Sequence, residues 1–97
     1  MADIMCLLKR LKEVDQYRIL FGEKLRSWRE DIGMTQEEFA KKCGMSRQAL
    51  FQYESHPDEF QKGISLKRIE AFLKVFSEKL QRKISPEDFL RDIVVCD

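Results

Sequence analysis

The chain is poor in the residues that interrupt or cross-link a fold: its 97 residues include two prolines, four glycines and three cysteines. So few breakpoints, with no extended alternation of β-branched and polar residues, exclude a strand-rich architecture and favour helices. Cys6, Cys43 and Cys96 are odd in number, far apart and without a C-x-x-C pair. They offer neither a zinc site nor a dithiol motif and read as reduced, intracellular thiols. No apolar run exceeds the five residues from Ile4 to Leu8, whereas a membrane-spanning helix needs roughly 20 and a secretory signal about 7. The expectation is a cytoplasmic protein with no membrane partner. The single histidine, His56, precedes Pro57 with no further ligand or base beside it, which suits a helix-ending turn and leaves no metal or catalytic set. An excess of either charge is also missing: the net charge is +1, so the whole molecule exerts no pull on a polyanion.

What is present is a sizeable core and an uneven distribution of charge. Hydrophobic types make up 43% of the residues and charged types 36%, enough apolar surface for one compact domain and too much for a disordered tail. Residues 61–83 carry seven basic and two acidic side chains, whereas residues 84–97 carry one basic and four acidic. From Phe39 to Tyr53 there are Lys41, Lys42 and Arg47 but no carboxylate, so an anion could approach that stretch unopposed.

The apolar periodicity predicts an all-α fold. Ile4, Leu7, Leu11, Val14, Phe21, Leu25, Trp28 and Ile32 follow helical spacing, with Arg18 as the one exception in the stripe. One long helix or two in register would fit; Gly22 and a capping Asp15 favour a break between Asp15 and Leu20. Gly33 ends this region, and Thr35 with Glu38 forms a capping box that opens a short helix from Gln36 to about Lys42. Gly44 supplies a turn, Ser46 caps a helix to about Glu54, and residues 55–65 read as a loop. A long helix follows with Leu66, Ile69, Phe72 or Leu73, Phe76 and Leu80 inward, then a final helix from Ser85-Pro86 with Phe89, Leu90 and Ile93 inward.

The segment QEEFAKKCGMSRQALFQYE, residues 36–54, has the residue classes of a helix-turn-helix. Ala40 is small where two helices cross, Gly44 turns the chain, and Phe39, Cys43, Met45, Leu50 and Tyr53 form the wedge between them. Helical spacing puts Arg47, Gln48, Phe51 and Gln52 on the opposite, solvent-facing side. Arg can bond guanine O6 and N7, Gln can pair with adenine N6 and N7, and Phe can touch a thymine methyl. Phe51 has an equal alternative use, packing against the following loop or a partner. The carboxylate pairs Glu37/Glu38 and Glu87/Asp88 sit in first turns, where they complement the helix dipole without chemistry, and no enzyme is expected.

From Phe21 to about Leu90 the sequence resembles the Cro/C1-type (XRE) helix-turn-helix family of phage and bacterial repressors, through LRSWRE, GMTQEEFAKKCGMSRQALFQYE and ISPEDFL. The resemblance implies a compact five-helix, repressor-like DNA-binding domain over residues 21–97, preceded by a helical extension over 1–20, with no cofactor. It implies an Arg29–Glu54 ion pair, base contacts from Arg47, Gln48 and Gln52, and phosphate contacts from Gln36 and Ser46. It also implies a homodimer on double-stranded DNA, reading two half-sites one helical turn apart and acting as a repressor. The apolar stripe of the final helix or that of residues 1–15 would build the dimer.

The sequence departs from the family pattern in three places. His56 stands where a glycine is usual, the loop from Glu54 to Ser65 is about four residues longer than usual, and the helix from Leu66 is extended. Lys62 in that loop is a further phosphate candidate, while Asp58 and Glu59 would be repelled from the same side. The near-neutral charge and the added helix keep a second function open: an antitoxin-like or adaptor module that binds a protein partner.

Overall fold

The computed structural model describes residues 4–55 and 64–96, which form six helices and no strand. They are α1 (Ile4–Glu13), α2 (Asp15–Asp31), α3 (Gln36–Lys42), α4 (Arg47–Ser55), α5 (Leu66–Leu80) and α6 (Pro86–Arg91). The all-α expectation holds, and Thr35, Ser46 and Ser85 cap helices where the sequence puts them. The Thr35 hydroxyl accepts from the Glu38 N–H while the Glu38 carboxylate accepts from the Thr35 N–H. These bonds hold the Glu38 carboxyl below its ordinary pKa, a small stabilisation present at neutral pH and lost on acidification. Ser65 and Ser85 cap α5 and α6 through the N–H groups of Arg68 and Asp88.

Two helix ends use the same stop. At Gly33 (φ +72°) and Gly44 (φ +71°), paired backbone bonds close α2 and α3: Gly33 and Met34 donate to the Glu30 and Arg29 carbonyls, and Gly44 and Met45 to those of Lys41 and Ala40. α5 ends in the same way, but its left-handed position is Gln81 (φ +54°), with Arg82 donating to the Ser77 carbonyl. A side chain is strained there.

An aromatic cluster ties five helices together. Phe21 and Trp28 of α2, Phe39 of α3, Tyr53 of α4, Phe72 and Phe76 of α5 and Phe89 of α6 form successive ring contacts with centroids 5.0–6.4 Å apart. Lys24 covers one edge of the cluster. Its ammonium donates to the Phe89 carbonyl (2.6 Å) and to Asp92 (2.9 Å) and lies 4.3 Å from the Phe89 ring centroid. α1 takes no part in the cluster and docks through Leu7, Leu8 and Leu11, all buried.

Several expectations are corrected. The helix break falls at Val14, just before the expected window, and Asp15 is the first residue of α2 rather than its cap. The reason is Arg18, the exception in the apolar stripe. Its fully buried guanidinium donates to the carbonyls of Leu11 and Lys12 at the end of α1 and to the Asp15 carboxylate. The chain therefore turns where this cation satisfies the last carbonyls of α1. α2 then runs unbroken from Asp15 to Asp31. Cys6 and Cys96 are not free thiols: they are joined in a disulfide between α1 and the segment after α6, and Cys43 alone is free and buried. Leu80, at the last turn of α5, is 40% exposed rather than inward, and Ile93 is half-buried beyond the end of α6. Neither stripe expected to build a dimer is left over, because Leu7, Leu8 and Leu11 of α1 and Phe89 and Leu90 of α6 are buried in their own chain.

Gly22 has a steric role that the helix-propensity argument missed. A methyl group there would lie 2.7 Å from the Tyr53 carbonyl oxygen and 3.1 Å from that of Glu54, so α4 rests directly on the backbone of α2. Gly22→Ala gains helix propensity of about 1 kcal/mol. The forced separation is nevertheless expected to give a net loss of about 1–3 kcal/mol, seen as a lower urea midpoint. Gln81→Gly should do the reverse and raise Tm by relieving the left-handed strain.

Candidate nucleic-acid interface

α3 and α4 meet through the turn at Gly44, with Ala40 1% exposed at the crossing and Phe39 and Leu50 fully buried behind it. Cys43 is buried in the same wedge, and burial pushes its thiol up to about 12. Met45 and Tyr53 pack against the core from its edge. Ser46 stands just before α4, and its hydroxyl oxygen accepts from the Ala49 N–H (3.1 Å), which leaves the hydroxyl hydrogen to donate outward.

The orientation of α4 is set at its far end by a buried ion pair. Arg29 of α2 donates from Nε and Nη2 to the two carboxylate oxygens of Glu54, at 2.8 and 3.1 Å, and from Nη1 to the Met34 carbonyl at 2.8 Å. The Glu54 side chain is fully buried and that of Arg29 is 9% exposed. The Gln36 amide joins the same group, donating from Nε2 to Glu54 Oε1 at 3.1 Å. One guanidinium thus fixes the end of α4, the turn after α2 and, through Glu54, the first residue of α3. The pairing expected from the resemblance is present, and the added bond to Gln36 is a link the sequence reading did not contain.

The four residues expected to contact bases all lie on α4. Arg47, Gln48 and Phe51 are exposed, and Gln52 is half-buried at the end nearer the ion pair. Lys41 and Lys42 are exposed on the adjoining last turn of α3. The only carboxylate on α4 is that of Glu54, which Arg29 neutralises, so no negative charge from that helix faces an approaching anion. Gln36 is half-buried; one amide hydrogen goes to Glu54, and the NH2 group carries a second. Lys62, together with His56, Asp58 and Glu59, lies outside the described residues. Among the described residues no cluster of His, Cys, Asp and Glu could hold a metal ion, and no helix is long and apolar enough to cross a membrane.

The ion pair makes a direct prediction. Arg29→Met leaves a buried carboxylate without its cation and should cost about 3–5 kcal/mol of unfolding free energy. The double replacement Arg29→Met with Glu54→Leu, which removes both charges, should recover most of that loss in the same denaturation assay.

The helix-turn-helix family model matches residues 25–83, more than half of the chain, and spans the ion pair, both helices of the motif and α5. No curated protein and no solved structure matches the chain. A capped short helix, a glycine turn, a second helix with an exposed Arg and Gln face, and a buried Arg–Glu brace all fall within the matched segment. The chain belongs to the Cro/C1-type (XRE) helix-turn-helix family.

Proposed function

We propose that the protein is a sequence-specific DNA-binding regulator that represses by occupying its operator, working in the cytoplasm alongside the nucleoid. The observation that carries this reading is the exposed, carboxylate-free face of α4, with its one acid buried against Arg29. A helix presented in this way fits a major groove about 12 Å wide. Arg47 would bond guanine O6 and N7, Gln48 and Gln52 would pair with adenine N6 and N7, and Phe51 would meet a thymine methyl. The second amide hydrogen of Gln36 and the hydroxyl of Ser46 would reach phosphates, aided by the helix amino termini, with Lys62 as a further phosphate contact. Two copies would read half-sites about 34–36 Å apart, through surface other than the buried stripes of α1 and α6. A regulator of this kind needs neither cofactor nor catalytic group.

A second reading, an antitoxin-like or adaptor module, draws on the apolar surface of Met5 (70% exposed) and Val95 (61% exposed), each next to a bonded cysteine. The two readings separate by salt dependence. Affinity for duplex DNA should fall with a log–log slope near −0.9 per phosphate contact, whereas a flat response favours the protein-partner module. In selection from a random duplex library, Arg47→Ala should relax preference at one position, with about 1–3 kcal/mol lost there. Gln36→Ala should weaken all sites about equally. Identical selected sequences for Arg47→Ala and the wild type would overturn the assignment of readers.

A further inference from the structure

We infer that Cys6 and Cys96 form a reversible thiol–disulfide site that exchanges with small thiols and disulfides of the glutathione class, and that its oxidation state sets how firmly α1 is held on the domain. The inference rests on the proposed function in one respect. A regulator bound to chromosomal DNA works where thiols are kept reduced, and disulfides in such a compartment are transient and redox-responsive.

The geometry gives the chain one exchangeable pair. The bond joins α1 to the segment after α6, across 90 positions of sequence, and neither cysteine residue is fully buried. Cys43 is 8% exposed, and burial keeps its thiol protonated, so it neither attacks the bond nor competes for a partner. In the exchange, a thiolate attacks one sulfur, the S–S bond breaks, and the other cysteine leaves as a thiolate. A second thiol then resolves the mixed disulfide. Overall, two small thiols are oxidised to one small disulfide as the protein disulfide is reduced to two thiols, and oxidation is the reverse.

What the bond controls follows from how α1 is attached. Besides the disulfide, α1 has Leu7, Leu8 and Leu11 packed inward and the Arg18 bonds to its last carbonyls, and a single residue, Val14, joins it to α2. The α3–α4 unit is anchored separately, by the Gly22 contact and the Arg29–Glu54 pair. Reduction therefore loosens α1 and the carboxy-terminal segment while leaving the outer face of α4 in place.

The test equilibrates the full chain in glutathione buffers of graded thiol-to-disulfide ratio, quenches with iodoacetamide and counts the alkylated cysteines by mass. The expected result is a single two-electron transition in which Cys6 and Cys96 become alkylated together while Cys43 in the folded protein does not. The oxidised form should melt at least about 10 °C above the reduced form. Hydrogen exchange should quicken on reduction in α1 and residues 92–96 but not in α3 and α4. Cys96→Ser should melt like the reduced wild type and ignore reductant; the wild-type arms need no variant to fold. Alkylation that is independent of the buffer ratio, or equal melting of the two forms, would overturn the inference. Loss of DNA binding with the transition intact would overturn only the proposed function.

Discussion

The orientation of α4 depends on one buried guanidinium. Arg29 reaches Glu54 with two bonds and the Met34 carbonyl with a third, and Glu54 in turn holds Gln36. A carboxylate with no exposure to water needs such a partner, so α4 has one orientation in which its acid is satisfied. The same pairing clears the outer face of α4 of negative charge. The brace that orients α4 therefore also keeps the one carboxylate of that helix paired and buried.

α1 is attached by different means. The other five helices share a continuous set of aromatic contacts, with Lys24 sealing one edge, while α1 contributes aliphatic side chains alone. Two further fastenings compensate: Arg18, buried against the end of α1, and the bond from Cys6 to Cys96. The molecule thus combines an aromatic body, in which the helix-turn-helix is embedded, with a first helix held by three leucines, one cation and one covalent link.

Most of the motif was legible in the sequence because its determinants are local. Thr35 with Glu38, Gly33, Gly44 and Ser46 each act on backbone within a few residues, so their chemistry fixes the structure without knowledge of the rest of the fold. What was not legible depends on distant partners. Gly22 reads as a helix breaker until the Tyr53 carbonyl is seen against it, and Arg18 reads as a lapse in an apolar stripe until α1 ends on it. Cys6 and Cys96 carry no local sign of pairing, since nothing between them indicates that the chain returns. Leu80 kept the helical period but lies at the last turn of α5, where the core has ended. The Gln36 bond to Glu54 had a faint signal, a side chain at the start of α3 within reach of an acid at the end of α4.

The contact at Gly22 has a geometric consequence. α4 is a nine-residue rod pinned near its middle by Leu50 and at its carboxyl end by two carbonyls resting on α2, while Arg47 projects from the opposite end. At about 1.5 Å of rise per residue, Arg47 stands roughly 10 Å from that pivot, so a tilt of about 6° swings it by about 1 Å. Such a swing is a large part of a hydrogen bond's tolerance. The floor beneath the rod therefore acts as a fulcrum, and a substitution on α2 at the contact is carried to the far tip of α4.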